Sequence, residues 1–268
     1  MTATATDLTR PVVLIDLSSI AHPLYHLTTA DPNPDATAQQ TVARVHALAT
    51  GRDHVAVCCD SGKSFRKDLD ATYKANRPER DEVLIRQITL AREALVADGF
   101  PVWAAPGFEA DDLIASAASR LRALGHEVIV VSADKDMLQL VTDAAPTLKV
   151  KSLISGDVLD TEAVAVKMGV LPAQMQDYQS LTGDTSDNIK GAPGVGPKTA
   201  AGLLKQFGSL DEFYRLVDAG QKPAGVTPKL LQTLILFRAR LPLVRMLVTL
   251  RVDAPVPVDD VLVPVSYT

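Results

Sequence analysis

Cysteine is almost absent from this chain: Cys58 and Cys59 are the only two in 268 residues, and they stand side by side in an apolar run. That placement excludes a disulfide framework and offers no spacing suited to zinc. No apolar run approaches the length of a membrane span, and the opening MTATATDLTR lacks the apolar segment of a signal peptide. Internal repeats and low-complexity tracts are missing as well. Cytoplasmic residence is therefore the default expectation. Basic residues do not dominate: 27 Lys and Arg against 32 Asp and Glu give a formal net charge of −5, which argues against a simple DNA-coating protein. What is present is a hydrophobic fraction of 47% and a charged fraction of 22%, ordinary for a globular protein long enough for one large or two modest domains.

The first part alternates apolar runs with helical patterns. Pro11–Ile15 ends at Asp16, Val55–Cys59 ends at Asp60, and Glu127–Val131 leads to Ser132, Ala133 and Asp134, with a further short strand expected over Pro101–Ala104. Helical spacing covers Thr37–Ala49, Asp81–Asp98 (stopped by Gly99) and Glu109–Leu124 (stopped by Gly125). Short unbroken strands between helices predict a parallel sheet covered on both faces. Ligands of such sheets sit beyond the carboxyl ends of the strands, where Asp16, Asp60 and Asp134 lie. A lone Asp in that position is ordinarily a helix N-cap, but three of them ask for more. The second part reads as helical: Thr161–Met168, Pro172–Leu181, Pro197–Phe207, Leu210–Ala219 and Pro228–Leu250. A tail from Asp253 to Thr268, rich in proline and valine, is expected to run extended on the surface.

Carboxylates accumulate at a few places: Asp16, Asp60, Glu109, Asp111, Asp112, Asp134, Asp136, Asp184 and Asp187. Glu109 and Asp112 share a helix face, whereas Asp111 lies roughly 200° round from Glu109 on an ideal helix, so spacing alone does not converge all three. Two carboxylates about 4 Å apart repel by about 4 kcal/mol at an effective dielectric near 20. Several at one edge would need cations among them to stay ionised. Oxygen-only donors suit Mg²⁺ or Mn²⁺, and the natural chemistry is phosphodiester hydrolysis assisted by two ions. Directly after Asp184 and Asp187 comes GAPGVGPKTA, Gly191 to Ala200. Its glycines Gly191, Gly194 and Gly196 are expected to allow positive φ and close approach, and the helix that follows offers free N–H groups to a phosphate. Positive residues gather at Lys63, Arg66, Lys67, Lys74, Arg77, Arg80 and Arg86, a pattern that is ordinarily a solvated face.

Five segments in order resemble the structure-specific 5′ nucleases, the group of flap endonucleases, phage 5′ exonucleases and the N-terminal nuclease domain of bacterial DNA polymerase I. They are Asp16 after the first strand, CDSGKSFRKDLDATYKANRP (Cys59–Pro78), GFEADDLIAS (Gly107–Ser116), SADKDMLQLV (Ser132–Val141) and GDTSDNIKGAPGVGPKTA (Gly183–Ala200). The resemblance implies an α/β fold: a PIN-like parallel-sheet nuclease core over 1–157, with an arch segment at 61–98. It adds a helix–hairpin–helix (helix–three-turn–helix) DNA-binding region over 158–252, its hairpin at 188–206, and leaves 253–268 as the extended tail. Asp16, Asp60, Glu109, Asp111, Asp112 and Asp134 would surround the first metal, and Asp136, Asp184 and Asp187 would complete the second. Lys74 would neutralise the scissile phosphate, flanked by Tyr73 and Arg77 as catalytic partners. Lys63, Arg66, Lys67, Arg80, Gly194, Gly196, Lys198 and Thr199 would contact DNA, and a K⁺ ion would sit at the hairpin.

This chain departs from the resemblance at Leu17, where glycine commonly follows the first aspartate, and in the acids Asp68, Asp70, Glu79, Asp81 and Glu82 that dilute its arch. The expected partners are DNA with 5′ flaps, nicks or ends, RNA–DNA primer junctions and a DNA polymerase, with no membrane and a monomeric chain. With no polymerase domain following, the expectation is a stand-alone enzyme of the bacterial or phage type. Two other readings compete: a PIN-like ribonuclease, and a catalytically silent protein that binds DNA junctions.

Overall fold

The computed structural model describes residues 10–78 and 81–263. In chain order it runs β1 (Val12–Asp16), α1 (Leu17–Thr28), α2 (Ala36–Ala49), β2 (Val55–Cys58), α3 (Arg66–Leu69), α4 (Glu82–Ala97), β3 (Val102–Trp103) and α5 (Ala110–Ala123). Next come β4 (Val128–Ser132), a 3₁₀ turn (Lys135–Leu140), β5 (Leu148–Ser152), β6 (Val158–Leu159), α6 (Thr161–Met168), a second 3₁₀ turn (Pro172–Gln174) and α7 (Met175–Thr182). The chain closes with β7 (Gly183–Asp184), β8 (Ile189–Lys190), α8 (Pro197–Phe207), α9 (Leu210–Asp218), α10 (Pro228–Phe237), α11 (Leu241–Val248) and α12 (Asp259–Leu262). Two compact units form: a sheet unit from the described parts of Met1–Ser64, Glu79–Asp160 and Leu250–Thr268, and a helical unit from Phe65–Pro78 and Thr161–Thr249.

In the sheet unit the strand order is β3-β2-β1-β4-β5-β6, parallel except for the antiparallel β6. The chain leaves β1 toward β2 and β3 on one side and toward β4 and β5 on the other. The order therefore reverses between β1 and β4, which is where open α/β sheets form their ligand crevice. All five β1 residues are buried, as an inner strand covered on both faces requires. Val13 and Ile15 join Leu17, Ile20, Val45, Val57, Leu95 and Phe100 in one core under α1, α2 and α4. On the other face α5 packs over β1, β2 and β4, burying Leu113, Ile114, Ala117 and Leu121.

Several sequence expectations are corrected. Leu17–Thr28 is a helix despite Pro23, because Asp16 caps it and Leu17 and Ile20 are driven into the core. The expected helix Pro228–Leu250 is two helices, with Pro242 in the first turn of the second, where a missing N–H costs nothing. β5 and β6 were not anticipated, although Leu148, Val150 and Ser152 alternate inward.

The 61–98 segment does not belong as a whole to the sheet. Phe65–Pro78 packs within the helical unit because its backbone is bonded there: Lys74 N–H donates to Asp187 O (2.9 Å), and Asn188 Nδ2 donates to Thr72 O (2.8 Å). The described part of the C-terminal tail is likewise not a loose surface strand. Ala254, Val256 and Val261 are buried in the sheet unit, and α12 ends it; residues 264–268 lie outside the described residues. No helix among the described residues is long and apolar enough to cross a membrane.

Candidate metal centre and phosphate-facing hairpin

The reversal between β1 and β4 sets the first group of acids. Asp16 ends β1 and caps α1, its Oδ1 accepting from Ser19 N–H (3.3 Å). Ser132, the last residue of β4, donates from Oγ to Asp16 Oδ2 (2.9 Å), and Ser19 Oγ donates to the same oxygen. Burial, opposed by these serine bonds and reinforced by Asp60, pushes the Asp16 carboxyl up to about 6. Asp60, just beyond β2, accepts from Ser18 Oγ (3.3 Å) and from Ala110 N–H (3.1 Å) at the start of α5. Asp134 follows β4 and caps the 3₁₀ turn, accepting from Asp136 N–H (2.8 Å).

Asp111 is the focus of this group. Its carboxyl is raised well above the ordinary range, first by burial and then by Asp134, Asp16, Asp136 and Asp60. Four acids from three strand ends therefore press on a fifth. All donors are carboxylate oxygens, the chemistry of hard divalent cations. Among the described residues no three His, Cys, Asp or Glu side chains form a ready cage for a metal. That is compatible with Mg²⁺, which keeps several waters and takes only one or two carboxylates together with substrate phosphates. The residues fit a hydrated hard cation.

Glu109 and Asp112 do not join that pressure on Asp111. Glu109 is the N-cap residue of α5. Asp112 is fully buried and accepts through both oxygens from backbone: Glu109 N–H to Oδ2 (3.2 Å) and Arg251 N–H to Oδ1 (2.9 Å).

In the helical unit, Tyr73, Lys74 and Arg77 gather on Asp187. Tyr73 Oη donates to Asp187 Oδ2 (2.9 Å), Lys74 Nζ lies 3.7 Å from the same oxygen, and Arg77 pairs with Oδ1. Lys74 adopts φ 55, unusual for a side-chain-bearing residue, and its ammonium sits 4.9 Å from the centroid of the Tyr73 ring. Arg77 Nε and Asn76 Nδ2 add bonds to the carbonyls of Ser186 (3.2 Å) and Thr185 (2.7 Å). Asp184 is buried and closes an Asx-type turn, its Oδ1 accepting from Ser186 N–H (2.7 Å) and Asp187 N–H (3.2 Å). Three of the expected catalytic residues and one expected metal acid thus share one cluster.

The hairpin holds its shape for two different reasons. A Cβ on Gly191 would collide with the Leu181 carbonyl and the Gly183 backbone, so that position requires glycine for close approach. Gly194 takes φ +72 with open space around it, whereas Gly196 has an ordinary negative φ (−92) and is the N-cap of α8. The expectation of positive φ at all three therefore holds only for Gly194. With Pro197 in the first turn, the N–H groups of Lys198 and Thr199 point out of the start of α8. Helix starts of this kind attract phosphate.

The remaining basic candidates separate. Lys63 and Lys67 are exposed. Arg66 is buried, its guanidinium donating to the carbonyls of Leu247 and Thr249 (both 2.9 Å); this removes it from the DNA-contacting set and makes it a strut between α3 and α11. Arg80 lies outside the described residues. Sequence reasoning missed Ser18, Ser19 and Ser132, which orient Asp16 and Asp60. The pair after Asp16 was legible as cap chemistry, but the approach of Ser132 required the sheet.

The chain matches two family descriptions in succession: "5′-3′ exonuclease, N-terminal resolvase-like domain" over residues 11–169 and "5′-3′ exonuclease, C-terminal SAM fold" over residues 170–265. It belongs to the 5′-3′ exonuclease family. Among curated relatives, DNA polymerase I of Rhizobium leguminosarum is 43% identical over 213 residues, covering 78% of this chain and 20% of that protein. DNA polymerase I of Chloroflexus aurantiacus is 39% identical over 219 residues, 80% of this chain and 22% of the relative. The chain therefore spans about a fifth of the length of these relatives.

Among solved structures, the T5 5′-exonuclease described with bound divalent zinc ions superimposes with a TM-score of 0.77 at 24% identity, over 89% of each chain. The catalytic core of Rad2 in complex with DNA substrate gives 0.58 at 18% identity, over 95% of this chain and 85% of that one. These two likenesses are of fold. They agree with a mostly parallel sheet unit accompanied by a helical unit.

Proposed function

We propose that this 5′-3′ exonuclease family member is a divalent-metal-dependent 5′ nuclease that hydrolyses DNA phosphodiesters near 5′ ends and at 5′ flaps, in replication or repair. The observation that carries the reading is the crowd around Asp111: its carboxyl is raised first by burial and then by Asp134, Asp16, Asp136 and Asp60, and these clustered acids make a field that favours capture of hard cations. Asp16, Asp60, Asp111, Asp134 and Asp136, all in the sheet unit, are the residues that would hold such ions. Two bound Mg²⁺ or Mn²⁺ ions would supply an activated water and stabilisation of the leaving oxygen.

The chain's own side chains do the rest. Lys74 and Arg77 neutralise charge on the phosphate, and their pairing with Asp187 keeps both cations oriented before DNA arrives. Tyr73 fixes the Asp187 carboxylate from the other side. Backbone N–H groups at Lys198 and Thr199, reached past the open Gly194 and Gly196, hold a duplex phosphate without reading bases, and a K⁺ ion there is part of the proposal. Lys63 and Lys67 add electrostatic attraction.

The 5′ termini of RNA primers paired to DNA belong to the same substrate class, the chain acts as a monomer in the cytoplasm, and a DNA polymerase is the expected partner activity. A silent junction binder would have no use for five mutually repelling acids.

The test is a labelled 5′-flap duplex incubated with Mg²⁺ or with EDTA, its 5′ end free or blocked. Cleavage in Mg²⁺ alone, with product lengths separating end trimming from junction incision, is the expected result. Intact substrate under both conditions would overturn the proposal.

A further inference from the structure

The C-terminal segment of the sheet unit returns along α5 and is fastened to it at successive turns. Arg251 N–H donates to Asp112 Oδ1 (2.9 Å), Ser116 Oγ donates to Arg251 O (3.2 Å), and Ala254 N–H donates to Ser116 Oγ (2.9 Å). One turn further, Arg120 donates from its two terminal nitrogens to Val256 O (2.9 Å) and Ala254 O (3.0 Å). Asp112, Ser116 and Arg120 are spaced by four residues and so form one stripe of the helix. Asp112 and Ser116 are both fully buried, as is Ala254 against them. The stripe starts in the first turn of α5, next to Asp111, and Asp112 also ties that turn to Glu109 N–H.

We propose that Asp112 is a positioning residue rather than a metal ligand: with Ser116 and Arg120 it clamps the strap Arg251–Val256 along α5 and thereby fixes the helix start that presents Glu109 and Asp111. The inference rests on the nuclease reading above. Its physical basis is the direction of Asp112's bonds. A carboxylate whose two oxygens both accept backbone N–H groups is held in one rotamer. It stabilises two backbone segments at once, and each bond is charge-assisted. Outer partners of this kind govern metal affinity through orientation, typically by about 10–100-fold.

The experiment uses the full chain and two readouts. Hydrogen exchange in EDTA follows the amides of Ala110–Leu113, and calorimetric titration with Mn²⁺ measures affinity for the ion. For Asp112→Asn, exchange of the first turn of α5 should quicken and Mn²⁺ affinity should fall about tenfold. The number of bound ions should stay unchanged, and Asp112→Glu should recover none of the affinity because its longer arm cannot reach both N–H groups. Ser116→Ala touches no acid and loosens only the strap, yet it should shift both readouts in the same direction by a smaller factor. Should Asp112→Asn fail to fold, Ser116→Ala and Arg120→Ala carry the test.

Loss of a whole binding event in Asp112→Asn, with Ser116→Ala behaving as wild type, would make Asp112 a ligand and overturn the inference. So would wild-type exchange and affinity in all the variants. Absence of Mn²⁺ binding by the wild-type protein would refute the nuclease reading and the inference together, a result distinguishable from either of the others.

Discussion

Asp16→Asn should stabilise the metal-free protein while abolishing its chemistry. Asp16 is 4% exposed and its carboxyl is raised from 3.8 to about 6, with burial as the main cause. Each pH unit between the unfolded and folded values is worth about 1.4 kcal/mol, so an ionised Asp16 costs the fold about 3 kcal/mol. Below about pH 4 the group is protonated in both states and contributes nothing. Between about pH 4 and 6 the unfolded chain ionises while the folded Asp16 keeps its proton, so this contribution falls as pH rises; above about 6 the deficit is constant.

Asparagine removes the deficit. It retains an acceptor for Ser19 N–H but turns a donor toward the Ser19 and Ser132 hydroxyls that now donate to the carboxylate, a loss of about 1 kcal/mol. The net gain at neutral pH is about 2 kcal/mol, or roughly 4–8 °C in Tm for a unit of this size.

Thermal unfolding of variant and wild type in EDTA across the acid range is the assay. The stability gap should start about 1 kcal/mol in the wild type's favour at low pH, change sign between about pH 4 and 6, and favour the variant above that. Mg²⁺ should raise the Tm of the wild type and leave that of the variant little changed. A variant that melts below wild type in EDTA at neutral pH would refute the reasoning, because it would mean that Asp16 is a net structural acid whose hydrogen bonds outweigh its desolvation.

Asp134→Asn should abolish cleavage while junction binding measured in EDTA persists; a variant cutting at wild-type rate removes Asp134 from the site. Lys74→Ala should slow single-turnover cleavage by about two orders of magnitude with a much smaller change in DNA affinity, and the opposite split would make Lys74 a docking residue. Gly196→Val should leave Tm close to wild type, since its Cβ meets nothing within 4 Å, yet weaken duplex binding at least severalfold; unchanged affinity would leave the hairpin a mere turn. Gly191→Ala should instead destabilise the helical unit, because its Cβ collides with the backbone at Leu181 and Gly183, and a wild-type melt would contradict the observed packing.

Which features were legible in the sequence follows from how far each one's cause reaches along the chain. Strands β1, β2 and β4 were legible because a central parallel strand must be apolar throughout, and the acids that follow them mark the carboxyl edge whatever the details of packing. Helix α1 was hidden because Pro23 and two serines oppose it locally, while its cause, the core under Leu17 and Ile20, is not local. The exclusion of Arg66 from the DNA-facing set depends on carbonyls 181 and 183 residues further along, which no local pattern announces. Asp112 is the sharpest case. By residue type it is indistinguishable from Asp111, and helix spacing, which sets it on the Glu109 face, does not say which of the two meets the other acids. The neighbours differ in environment because one faces Asp16, Asp60, Asp134 and Asp136 and the other faces a strap 139 residues away. A run of acids therefore locates a metal edge from sequence. The roles of the individual acids depend on which backbone N–H groups reach each carboxylate first.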